Sequence, residues 1–488
     1  MSCAGILRKY TFRMRNLAVL LAACLSLTGC ATTREPPAQS DEAGATALLE
    51  RGADGGWLLE YRFTRAAPAW FFVRSALDFD GKPWRARSFT VETPGVRLER
   101  QGRYDVLTGD GAPLTTVRLR VKPYSESIAA DYTPALAFSD GSIAFYSEHH
   151  LVAPLSSAEA AAKLPADLNE VHFDTVPVRF TLRDPGRTLL FGGKNLHGEA
   201  SLMLNGDDAY LYSGAVRPVE TPSFAGIIDP GLPEWVNAEL HAFTPRLFAY
   251  YTQRLGKPRG DRPAALVAWG GTALRGYSVG GSVLKGMVVM NMRGAQVADP
   301  NPAVRTRMRS FIGHEAAHFW MGQTVRYGER SEAWITEGAA DLMAFRAFRH
   351  LDPGYDDRAD VQRSIDDCLK INGSQPLAGA AERGAHRANY ACGAVLALAA
   401  EGATRKREPG ADIFTWLARL IDANRADRTV TQADWLEAFS VVQGDAAVTA
   451  SVRAFLDQGA ADPAAFLYRL LTASGVPVRR EGDRVLLI

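Results

Sequence analysis

From Trp57 to Ser213, short apolar runs such as WLLEYRF, TTVRLRVKP, VPVRFTL and AYLYSG alternate with polar residues and are separated by Gly, Asp and Pro turns. A period of two places one face of each run in a core and the other in water, so this region is expected to form an antiparallel β domain. The pattern changes at PEWVNAELHAFTPRLFAYYTQRLG, which reads as a helix. An apolar strand PAALVAW follows, then a glycine-rich loop and a second strand, GMVVMNM. Beyond about Arg346 the periodicity is mainly helical to near the C-terminus. No internal repeat interrupts this order.

With 488 residues, 47% of them hydrophobic and 22% charged, the chain is long enough for two or three domains with cores of their own. Lys and Arg number 55 against 54 Asp and Glu, for a net charge of +1, so the chain lacks the basic footprint that attracts nucleic acid.

The first thirty residues read as an address. RKYTFRMRN is basic, LAVLLAACLSL is an apolar run short for a bilayer span, and small residues lead to Cys30. This order resembles a bacterial lipoprotein signal peptide, with Met14 a second candidate start. The resemblance implies removal of residues 1–29, lipid on Cys30, and residues 30–50 as a flexible tether that contains Ser and Pro. The alternative is an uncleaved N-terminal membrane helix. Either way the body of the protein is expected outside the cytoplasm, in the bacterial cell envelope on the periplasmic or external face of a membrane. Cys3 and Cys24 leave with the signal, so Cys368 and Cys392 remain as the mature thiols, either joined in one disulfide or buried separately.

Candidate chemistry concentrates in NPAVRTRMRSFIGHEAAHFWMGQ. Asn301 can cap a helix that starts at Pro302, and Met308, Phe311, Ile312 and Phe319 form its apolar stripe. His314 and His318, four apart, then project from one face, where two imidazoles can hold one zinc ion. Glu315 lies beside them in reach of a water at that metal. A catalytic zinc needs a third protein ligand. Eighteen residues separate His318 from Glu337, in SEAWITEGAADLMAF, a second helix that Ser331 can cap. Two His and one Glu leave the fourth position to water. Asp341, one turn beyond Glu337, is placed to hold the outer nitrogen of a ligating histidine.

GHEAAHFWMGQTV with EAWITEGAADL resembles the zinc peptidases of the aminopeptidase N family and their glycyl aminopeptidase relatives, which are gluzincins. They share H-E-x-x-H, the eighteen-residue gap and a Glu followed by Gly, and the likeness extends to Trp320 and Gly322. It reaches NYACGAVLALA, where Tyr390, Gly393 and Ala394 match the Y-x-x-G-A pattern of that family's catalytic tyrosine. The resemblance implies an α+β protein: an N-terminal antiparallel β-sandwich domain over 51–215, a thermolysin-like zinc peptidase domain over 216–400, and a mainly helical C-terminal region over 401–488. It also implies one Zn2+ per chain on His314, His318 and Glu337, Glu315 as general base, and Tyr390 as donor to the developing oxyanion.

One departure stands out. The family's G-x-M-E-N loop carries a glutamate for the substrate's amino terminus, and alignment through Gly280 and Gly286 puts Val283 in that place. The enzyme is therefore expected to be a membrane-anchored zinc metallopeptidase of peptides or proteins, either an aminopeptidase with altered recognition of the amino terminus or one that acts on internal bonds. The alternative class is a non-catalytic binding or assembly lipoprotein that keeps zinc, against which the intact Glu315 argues. The pair His149 and His150 has no third ligand nearby and is expected as a loop or strand-edge pair facing solvent, and His386, four before Tyr390, either lines the same pocket or, by default, lies on the surface.

Overall fold

Ala45, Ala47 and Leu49 alternate with half-buried neighbours, and that period makes Ala45–Arg51 a strand inside a nine-stranded sheet. The computed structural model describes residues 43–168, 171–204 and 209–488. Cys3, Cys24, Cys30, the signal segment and the first part of the tether lie outside the described residues. The tether expected through residue 50 is corrected here, because residues 45–50 already belong to the sheet. Alanines carry a weak hydrophobic signal, and the alternation was masked by them.

Ala45–Arg51 runs parallel to Val178–Phe191 and antiparallel to Trp57–Ala67. Every other pairing in the first two sheets is antiparallel. A four-stranded sheet, ordered Val152–Leu155, Ala69–Phe72, Tyr104–Gly109 and Val96–Gln101, packs onto the large one. Trp70, Phe72 and Leu107 share a buried cluster with Leu49, Leu59 and Phe180, the sandwich core. A single helical turn, α1 (Arg85–Ser88), buries Arg85 against Asp105 at 3.0 Å.

The next five strands form a third sheet in the order Val219–Thr221, Phe224–Ile228, Ala264–Trp269, Met287–Arg293, Ser278–Leu284. Ala264–Ala268 are all buried, as expected of a central strand with both faces covered. One face packs on α2 (Glu234–Leu255). The other shares a core with the sandwich, in which Leu136, Tyr146 and Tyr212 meet Ile227, Leu266 and Val289. The glycine-rich stretch expected to be a loop contains the edge strand Ser278–Leu284, antiparallel to Met287–Arg293. Gly281 is required there: its φ is +155° and a β-carbon would lie 1.8 Å from the Val289 carbonyl oxygen.

Helix α3 (Pro302–Ala317) starts as expected, with the Asn301 side chain accepting from the Ala303 and Val304 amides. Helix α4 (Trp334–Leu351) does not start at Ser331. That residue sits in a 3-10 turn, Arg330–Glu332, braced by Glu329 and Glu332, and α4 has no side-chain cap. Helix α5 (Arg358–Asp367) runs into a π turn, Cys368–Asn372, and Cys368 is joined to Cys392 of α6 (Arg387–Arg407), which resolves the choice between one disulfide and two thiols. The expected boundary at residue 400 falls within α6 and marks no break. Arg346 of α4 is buried against Glu401 of α6 at 2.5 Å. Helices α7 (Ile413–Ala423), α8 (Gln432–Gln443), α9 (Ala446–Gln458) and α10 (Pro463–Ala473) and a hairpin of Val478–Glu481 with Arg484–Leu487 complete the chain. Among the described residues no helix is long and apolar enough to cross a membrane.

Candidate metal centre

Helix α3 closes at Ala317, so His314 lies in its last turn and His318 at its C-cap. The two Nε2 atoms face each other at 3.0 Å. Their outer nitrogens are both committed: His314 Nδ1 to Asp341 Oδ1 at 2.8 Å and His318 Nδ1 to the Met321 carbonyl at 2.9 Å. A carbonyl only accepts, so His318 Nδ1 carries the hydrogen and the neutral ring presents a lone pair at Nε2. The carboxylate at Asp341 orders His314 in the same way. Glu337, from the first turn of α4, brings Oε2 to 3.2 Å from His314 Nε2 and 3.4 Å from His318 Nε2, and this buried oxygen has no hydrogen-bond donor.

Three acceptors that converge in a buried place call for a cation. Tetrahedral zinc with bonds of about 2.0–2.1 Å separates its ligand atoms by about 3.3 Å. Separations of 3.0, 3.2 and 3.4 Å suit that ion. Among the described residues, His314, His318 and Glu337 form a set able to hold a metal. Without metal the cluster draws a proton instead. Burial opposes charge on His314, but the hydrogen bond to Asp341 and the Glu337 carboxylate facing its other nitrogen outweigh it and push its pKa up to about 10. Burial likewise opposes charge on Glu337, and the two histidines hold that carboxyl well below the usual range.

Glu315 is not one of the three converging groups. Burial raises its pKa, partly offset by the charge of His314 and His318, and the Val283 amide donates to its carboxylate. The Tyr390 ring stacks on His314 with centroids 5.4 Å apart, and its hydroxyl bonds to Glu337; burial first, then the Glu337 charge, raises its pKa. Two glycines make this assembly possible. Gly338, next to Glu337, and Gly393, one turn after Tyr390, touch where α4 crosses α6.

The structure thus gathers His314, His318, Glu337, Asp341, Glu315 and Tyr390 into one place, and His314, Glu315, Asp341 and Tyr390 line a cavity of about 770 Å3. Val283 lies in the edge strand beside Glu315, with its side chain packed on the apolar core. Arg387 was missed: its guanidinium lies 5.2 Å from the Tyr390 ring centre and 3.5 Å from Asp341. It precedes Tyr390 by three on one helix, a spacing that places side chains as neighbours. His149 and His150 are a correction. Both are buried in the 3-10 turn Ser147–His150, His149 at 3.2 Å from Asp131 and His150 stacked on Phe180. Their flanking apolar strands carry them inward. His386 is exposed at the start of α6.

No family model and no curated protein matches the sequence. Solved structures do. An aminopeptidase N family protein from Idiomarina loihiensis aligns over 90% of this chain and 79% of its own, with a TM-score of 0.59 at 11% identity. An M1 zinc metallopeptidase from Deinococcus radiodurans aligns over 85% of this chain and 92% of its own, with a TM-score of 0.44 at 16% identity. At such identities the likeness speaks to the fold, and the α+β fold of this chain, a β-rich N-terminal part followed by a mixed and then helical part, is that of the Idiomarina loihiensis protein.

Proposed function

We propose that this chain is a zinc-dependent peptidase. The observation that carries the reading is the convergence of His314 Nε2, His318 Nε2 and Glu337 Oε2 on one point, with Glu315 beside them and not among them. A bound zinc ion would polarise a carbonyl and lower the pKa of a water molecule. Glu315 takes a proton from that water and delivers it to the leaving nitrogen. Burial raises its pKa above the ordinary carboxylate value, which suits a group that must both accept and release a proton. Tyr390 keeps its hydroxyl hydrogen, because its pKa lies above the ordinary value, and donates it as a hydrogen bond to the carbonyl oxygen as charge develops there. Asp341 and the Met321 carbonyl hold the two rings in the orientation that presents Nε2. The alternative of a non-catalytic zinc lipoprotein leaves Glu315 and Tyr390 without a task.

The proposal extends to place. The basic, apolar and small-residue order before Cys30 supports a lipid anchor in the cell envelope, and the Cys368–Cys392 disulfide suits an oxidising compartment. Cys30→Ser should then leave an unprocessed precursor or a soluble form.

The deciding experiment measures metal content and hydrolysis together. Purified protein should hold one zinc per chain, and Glu315→Gln should retain it while losing roughly a hundredfold to ten-thousandfold in rate. Full-rate hydrolysis by zinc-loaded Glu315→Gln would overturn the mechanism, and zinc kept in His318→Ala would overturn the ligand set.

A further inference from the structure

A second and larger cavity, of about 1070 Å3, lies between the β sandwich and the edge strand Ser278–Leu284. Its walls include Arg74, Asp78, Asp131 and Tyr132 on one side and Ser282 and Arg293 on the other. Gly280 and Gly281 line both this cavity and the one at the metal cluster, so the two spaces meet at these two residues. A β-carbon at Gly280 would have nothing within 4 Å. The opening is therefore real space, and its volume is at the upper end of pockets that hold a whole small ligand.

The strand between the cavities is an edge. Arg307 donates to the Val279 carbonyl at 3.4 Å and the Val283 amide donates to Glu315, so its outer side follows α3 from Arg307 to the metal cluster. An extended chain laid along such an edge would pass from one cavity into the other.

Release of single amino-terminal residues needs a carboxylate facing the substrate's ammonium group and a wall beyond it. Val283 offers no charge. Four carboxylates line the larger cavity; Asp80 and Glu126 are exposed to solvent, and the two whose side chains are covered are already engaged: Asp78 with Arg87 at 3.0 Å and the Asp80 and Lys82 amides, Asp131 with Arg74 at 2.8 Å and His149 at 3.2 Å. Arg293 adds a positive charge to the same wall, which disfavours an ammonium. Among the described residues nothing lies within 4 Å of a β-carbon at Gly280, so the path is open at that point.

We infer that this chain cleaves internal peptide bonds, with the residues before the scissile bond lying in the cavity between the β sandwich and the edge strand. The inference rests on the peptidase reading. Its covalent step is ordinary hydrolysis: water adds to the carbonyl carbon, the C–N bond breaks, and Glu315 carries the proton to the leaving nitrogen. What differs is that both products keep several residues.

The test uses the full zinc-loaded chain and a ten-residue peptide in free and amino-acetylated forms, with products mapped by mass spectrometry. Internal cleavage, with the acetylated form cut within about twofold of the free form, is expected. Stepwise release of single residues from the free peptide alone overturns the inference and leaves the peptidase reading standing. Absence of any Glu315-dependent hydrolysis overturns both. A binding measurement locates the substrate. Zinc-loaded Glu315→Gln should bind the acetylated peptide, and adding Gly280→Phe, which meets open space and no backbone strain, should weaken binding tenfold or more at unchanged zinc content. Unchanged affinity in the double variant overturns the placement in this cavity.

Discussion

Gly338 and Gly393 meet backbone to backbone where α4 crosses α6. A β-carbon on Gly338 would lie 2.0 Å from the Gly393 carbonyl carbon, and one on Gly393 would lie 2.2 Å from the Trp334 carbonyl oxygen. The contact explains why a Glu followed by Gly and a Tyr followed one turn later by Gly belong together. Glu337 and Tyr390 are the side chains that flank the crossing, and only a close crossing lets the Tyr390 hydroxyl reach Glu337. Gly393→Ala should push the helices apart, cost about 1–3 kcal/mol or more in stability, and lower the hydrolytic rate more than the zinc content. Thermal unfolding and rate measured on the same preparation check this. Wild-type values for both would mean the crossing is looser than these distances require.

The hydrogen bond from His314 to Asp341 makes a second prediction. Asp341→Asn keeps the side-chain shape and removes the charge that orients the ring and strengthens its donation. Zinc affinity should fall roughly tenfold to a hundredfold, as read by competition with a chelator. Arg387, at 3.5 Å from Asp341, loses its partner in the same variant, so a larger loss is the expected direction of any deviation.

Much of this site was legible in the sequence because its parts follow local rules. Asn301 and Pro302 announce the start of α3, the four-residue spacing of His314 and His318 announces a shared face, and Asp341 stands one turn from Glu337. Where the reading failed, the side-chain pattern was weak and backbone pairing decided. Ala45–Arg51 lies between Trp57–Ala67 and Val178–Phe191, the latter more than a hundred residues on, and its alanines signal this weakly. Ser278–Leu284 is a strand because Met287–Arg293 offers an edge to it, although its glycines read as a loop. His149 and His150 look like a polar turn, yet Tyr146 before them and Val152 after them are pulled into cores that carry the turn inward.

The disulfide supplies a third prediction. Cys392 lies two residues after Tyr390, so the bond to Cys368 pins the part of α6 that carries the hydroxyl. The positions are 24 apart, and closing a loop of that length restricts the unfolded chain by about 3–4 kcal/mol. Paired Cys368→Ser and Cys392→Ala should lower stability by roughly that amount under oxidising conditions, and the wild type under strong reductant should behave alike. Denaturant midpoints of the three samples check it.

A pH dependence of stability follows from His150. The ring is buried, stacks on Phe180 at 4.5 Å and meets the edge of Phe145, and burial followed by the charge of His149 and Arg85 lowers its pKa from 6.5 to about 3. The folded value lies below the unfolded one, so as pH falls the unfolded chain takes up the proton first. The contribution is whole above about pH 7 and is lost as pH falls toward 3. Between pH 7.5 and pH 5 one such histidine should cost about 2 kcal/mol. His149, held near 4 by burial despite its bond to Asp131, adds a loss of the same sign. His150→Phe replaces the ring with one that cannot titrate among aromatic neighbours. Urea unfolding of both proteins at the two pH values isolates the residue, because every other titrating group cancels in the difference. The variant should lose about 2 kcal/mol less than the wild type between pH 7.5 and pH 5. Equal losses in the two proteins would mean that His150 is already charged, or reached by water, in the folded state.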